Sequence, residues 1–101
     1  MLKLDSNYNE VARFGVYGSP RNDNTGLNAP FDITLDGAGN VYVADNANHR
    51  LVVLDNDLNY VGQFGTTGTP LTGATGLKNP WGVTVYGENV YVTSVGSSGQ
   101  R

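Results

Sequence analysis

The chain has 101 residues, no Cys, one His, 14 Gly and a net charge of −3. That length suits one small domain, and the missing thiols exclude disulfides and thiolate metal sites. A lone imidazole excludes a multi-His metal centre within one chain, and the acidic balance argues against nucleic acid or an anionic membrane as partner.

Short alternating apolar segments separated by turn residues run the length of the chain, and no useful 3.6-residue periodicity appears. This pattern predicts an all-β chain. In order, strands are expected at 1–5 ("MLKLD"), 10–15 ("EVARFG"), 31–36 ("FDITLD"), 40–45 ("NVYVAD"), 50–55 ("RLVVLD"), 60–65 ("YVGQFG"), 81–86 ("WGVTVY") and 89–94 ("NVYVTS"). Short polar turns such as "NDLN" join them and suit hairpins. Two longer Gly/Thr/Asn/Pro segments, 16–30 and 66–80, separate the fourth strand of one set from the first of the next. No apolar run nears the ~20 residues that span a bilayer. Met1 leads straight into strand-like sequence, so no signal peptide is expected.

The chain repeats itself. At an offset of 50, Leu4 falls on Leu54, Asp5 on Asp55, Phe14-Gly15 on Phe64-Gly65, and Pro30-Phe31 on Pro80-Trp81. The turn "DGAGN" then loses one residue against "YGEN", and "NVYV" at 40–43 meets "NVYV" at 89–92. A repeat of about 50 residues with four antiparallel strands predicts a β-propeller blade. Within it, the first and second strands are the most apolar and are expected to be buried between neighbouring blades.

Residues 26–65 carry the order "VYVAD", then "NHR", then an apolar strand ending on Asp, then a strand closing on "FG". This resembles an NHL repeat. The second copy departs from it: Ser94 replaces the Asp of "VAD", "GSSGQR" replaces "ANHR", and "VYVTS" is similar to YVTN-type propeller repeats. The resemblance implies a propeller, most often six-bladed. It also implies binding at the top face or central channel more readily than any one chemistry. The family's amidating lyases rely on several metal-binding His residues, which this chain lacks.

The strand types divide into 1–15, the outer two strands of a split blade; 26–65, a complete blade; and 76–95, the inner two strands of a split blade. Two blades do not close a ring, and half-blades expose unpaired edges. Head-to-tail assembly is the expectation, with Val90 and Val92 of one copy pairing with Met1, Leu2 and Leu4 of the next. "SSGQR" followed by "MLKLD" then reads as a copy of "NHRLVVLD", and Arg101 takes the place of Arg50. Six blades, the number the resemblance implies, at two per chain gives a homotrimer; rings of two, four or five chains stay open, as does a piece of a longer propeller.

Ligand candidates fall on the face formed by the long segments and the second-to-third connection: Asn28, Phe31, Asp32, Asn48, His49, Asn79 and Trp81. His49 is expected to pack beside Asp45 and Arg50, a carboxylate–guanidinium pair with a structural loop role. No cofactor is expected, though three copies of Asp32 at a channel mouth are a candidate site for a cation such as calcium. Recurring aromatics at 31 and 81 offer a stacking surface. No catalytic constellation is recognisable. The expected role is a self-assembling scaffold or binding module for a peptide, carbohydrate or small molecule; the alternative is a lyase or hydrolase using a channel cation.

Overall fold

The computed structural model describes residues 1–16, 18–68 and 76–94. They form eight strands: β1 (Leu2–Leu4), β2 (Glu10–Arg13), β3 (Pro30–Leu35), β4 (Val41–Asp45), β5 (Arg50–Leu54), β6 (Tyr60–Phe64), β7 (Pro80–Tyr86) and β8 (Asn89–Ser94). All pairing is antiparallel. Strands β3-β4-β5-β6 make one four-stranded meander, flanked by the hairpins β1-β2 and β7-β8. A single 3₁₀ turn at Asn46–Asn48 joins β4 to β5, and no α-helix occurs among the described residues.

The repeat holds in backbone geometry as well as in sequence. The β1-β2 ladder breaks register between Lys3 and Leu4, and β5-β6 breaks it at the equivalent Val53 and Leu54. The β3-β4 ladder skips Phe31, and β7-β8 skips Trp81. Left-handed backbone recurs at Tyr8 and Leu58, at Ala29 and Asn79, and at Gly15 and Gly65. Equal bulges at equal positions mean that the pairing register is specified by each repeat locally.

Three hairpin turns share an Asp-x-x-x-Asn signature. Asp36 Oδ1 accepts the N–H groups of Ala38 and Asn40, while the Asn40 amide donates to Oδ2. Asp5 with Asn9 and Asp55 with Asn59 repeat the arrangement. These bonds favour the ionised form and hold all three carboxyls below the usual carboxylate range. The β7-β8 turn is one residue shorter and has no such Asp; Gly87 instead supplies a positive φ of 62°.

Two apolar clusters hold the three sheets together. Phe14 and Leu27 pack on Val41, Val43, Val52, Leu54 and Leu58, seating the first hairpin against the meander. Ala44 and Leu51 pack on Leu77 and Val83, seating the second. Each fully buried Val or Leu contributes on the order of 1.5–3 kcal/mol. The burial differs from the sequence expectation in one respect. The second and third strands, β4 and β5, are the sequestered ones, while β3 keeps Phe31, Ile33 and Leu35 exposed. The reason is one-sided cover: the first hairpin packs on β4 and β5, and among the described residues no strand pair covers the corresponding face of β3.

Candidate functional site

Residues 45–50 carry the "D…NHR" signature, and each conspicuous side chain there has a structural partner. Asp45 is fully buried, and its Oδ1 accepts the Asn28 N–H at 2.7 Å. Its Oδ2 accepts the Asn48 amide at 2.9 Å and the Arg50 Nε at 2.8 Å. Arg50, also fully buried, then spreads its fork: Nη2 donates to the Asp23 and Gly26 carbonyls at 2.7 and 2.8 Å, and Nη1 to Gln63 and Thr67 at 3.1 Å each. A planar guanidinium satisfies five directions at once, which an ammonium does not. The buried charge is therefore paired and fully hydrogen-bonded, the condition under which such burial is tolerated.

The same segment reaches the other way. His49 adopts left-handed backbone (φ 56°), and its Nδ1 accepts the Asn79 N–H at 3.0 Å. Burial, and secondarily the Lys78 charge, lower its pKa. The sequence placed this ring beside Asp45 and Arg50; the backbone turns it towards the next repeat instead. Asn46 donates to the Pro80 carbonyl at 3.0 Å and receives the Asn79 amide. The Asn48 carbonyl accepts the Gly68 N–H, and the Asn28 carbonyl accepts the Ala47 N–H. Gly65 passes so close that a Cβ there would meet the His49 carbonyl oxygen at 2.7 Å. Residues 45–50 thus act as a two-sided staple. Asp45, Asn48 and Arg50 hold the preceding loop, while Asn46 and His49 hold the following strand. Asn46 is the member that sequence reading missed; its position one residue after the "VAD" Asp was the available signal.

The staple divides the ligand candidates. Asn28 is held through its backbone N–H and carbonyl, while the side chains of Asn48, His49 and Asn79 make bonds within the fold. Phe31, Trp81 and Asp32 stay at the surface. Phe31 and Trp81 are the unpaired bulge residues of their ladders. A bulge lifts a side chain out of strict alternation, and here it brings the two rings edge to face, with centroids 4.7 Å apart and planes at 80°. Both rings remain about half exposed. Asp32 Oδ2 accepts the Val83 N–H at 3.0 Å and Oδ1 accepts the Ile33 N–H, so this carboxylate ties β3 to β7. Among the described residues, no group of three or more His, Cys, Asp or Glu is placed to hold a metal ion. Of the expected inter-chain residues, Leu2 and Leu4 lie on β1 with Met1 just before it, Val90 and Val92 lie on β8, and Arg101 lies outside the described residues.

Residues 27–54 match the family model of the NHL repeat. The matched segment runs from the buried Leu27 through the meander to the end of β5, so it contains the whole staple. Within the matched segment, Asn48 and Arg50 fasten to Asp45 and to the preceding loop, and His49 fastens to Asn79 ahead of β7. Comparison with curated proteins returns no match.

Proposed function

We propose that this NHL-repeat chain is a β-propeller-type binding module that works as a ring of three copies and six blades. Its binding surface is the Phe31–Trp81 pair with Asp32, repeated around the mouth of the ring, and its ligand is a peptide, carbohydrate or other small molecule. The observation that carries this reading is the pair of bulged aromatics: two repeat-equivalent rings are lifted from their ladders, packed edge to face and left half exposed. Large rings held rigidly at the surface offer contact area with little loss of side-chain freedom, and a carboxylate beside them adds orientation.

Trp81 is the sole tryptophan, so it reports on its own site. Titrating the intact chain with short peptides and oligosaccharides should give a saturable shift in its emission with one ligand class, weakened at least tenfold by Phe31→Ala. An emission that no ligand moves, or binding that survives Phe31→Ala unchanged, would refute the site.

A further inference from the structure

A cleft of about 560 Å³ opens beside β1, lined in part by Met1, Gly15, Gly18, Ala29 and Pro30. Its position in the repeat identifies what it fits. The repeat equivalents of Gly15, Gly18, Ala29 and Pro30 are Gly65, Gly68, Asn79 and Pro80. Those four grip the staple in the meander: Gly65 lies under the His49 carbonyl, Gly68 N–H donates to the Asn48 carbonyl, Asn79 N–H donates to His49, and the Pro80 carbonyl accepts from Asn46. The cleft is therefore the mould of a β4-type strand end and the turn that follows it. The outer edge of β1, next to the cleft, has no strand paired to it among the described residues, and neither has the outer edge of β8.

We infer that the cleft and the β1 edge receive β8 of a second copy of this chain. The inference rests on the ring reading above and assigns its junction. The internal β4-β5 ladder supplies the register. Val41 pairs with Leu54, Tyr42 with Val53, Val43 with Val52 and Ala44 with Leu51. Carried through the repeat, Val90 of one copy pairs with Leu4 of the next, Tyr91 with Lys3, Val92 with Leu2 and Thr93 with Met1. Burial supports this occupant. Leu54 and Val52 are fully buried, while their equivalents Leu4 and Leu2 are 47% and 56% exposed; Phe14 is 7% exposed and its equivalent Phe64 is 47%. These residues line the faces that a completed sheet covers. The chain also holds both halves of that sheet, β7-β8 in the role of β3-β4 and β1-β2 in the role of β5-β6. A two-stranded hairpin is marginal alone, and its pairing edge is a template for a matching strand. The junction is not a copy of the internal one. Arg13 stands where Gln63 receives Arg50, and Ser94 stands where Asp45 sits, so the second site lacks the carboxylate–guanidinium core.

The chain has no native Cys, so an engineered pair reads the register directly. Residues opposite one another in an antiparallel ladder have Cα atoms about 4.5–5.5 Å apart, inside the disulfide range of about 4.4–6.8 Å. The double variant K3C/Y91C is oxidised as the intact chain and run on a non-reducing gel, beside the shifted pair K3C/V92C. The junction predicts linked dimers and trimers in high yield from the first pair, and at least tenfold less from the second. Native mass of the same samples separates two failures. A multimer in which the matched pair stays unlinked, or links no better than the shifted pair, overturns this junction and leaves the ring standing. A chain of monomer mass overturns both, and linkage only to another polypeptide in a mixture assigns the cleft to a different partner and likewise overturns it.

Discussion

The meander and the hairpins are built from the same repeat, yet they differ sharply in how far they are finished. In the meander, Leu54 and Val52 have the first hairpin over them and the staple locked at the end of their strand. In the first hairpin, Leu4 and Leu2 occupy the same repeat positions with the same bulge beside them, and they face outward. The sequence pattern alone therefore does not decide burial. It decides which face is available, and the neighbouring repeat decides whether that face is covered. Stability in such an array is a property of contacts between units as much as of any one sheet.

The largest expected effect breaks the meander's advantage at its centre. Arg50→Met leaves the buried Asp45 carboxylate without its guanidinium and should cost about 3–5 kcal/mol, read as a lower denaturant midpoint. Arg50→Lys should recover little of it, because an ammonium does not span the Asp23 and Gly26 carbonyls together with Asp45.

Next comes a direct contrast between equivalent residues. Leu54→Ala should cost about 2–5 kcal/mol, as for a filled core site. Leu4→Ala tests what lies over the hairpin in solution. Under the proposed junction its cost approaches that of Leu54→Ala at high protein concentration and shrinks on dilution. A cost that stays small at every concentration would leave the two regions as unlike in solution as they are in one chain.

The smallest effect concerns the staple's grip on the second hairpin. His49 has a folded-state pKa below its unfolded value near 6.5, so the folded state takes up a proton less readily. Its contribution is full above that value and is lost as pH falls through the lower folded value. Thermal stability should decline as pH falls from the unfolded His value through the lower folded one. His49→Leu should flatten the decline. An unchanged slope would show that the Asn79 N–H bond to Nδ1 matters little.

Much of the fold was legible because it is local. All eight strands follow from alternation and turn chemistry, and the repeat aligned Phe31 with Trp81 and Leu4 with Leu54. The Asp-x-x-x-Asn turns were equally legible in "DSNYN", "DGAGN" and "DNDLN", since they need only five consecutive residues. What the sequence hid is tertiary. Nothing near Arg50 announces that its fork ends on carbonyls 24 and 27 residues earlier in the chain. Nor does "NHR" reveal that His49 turns away from Asp45; that depends on a left-handed backbone set by the 3₁₀ turn before it. The aromatic pair was visible as a recurrence, but its exposure follows from two bulges that only strand pairing defines.

Solution mass tests most directly whether the two hairpins are halves of one sheet completed between copies. Sedimentation equilibrium of the intact chain at micromolar concentration should give a single species at three times the 10.7 kDa chain mass. A cooperatively folded species at 10.7 kDa, unchanged over a hundredfold range of concentration, would contradict it.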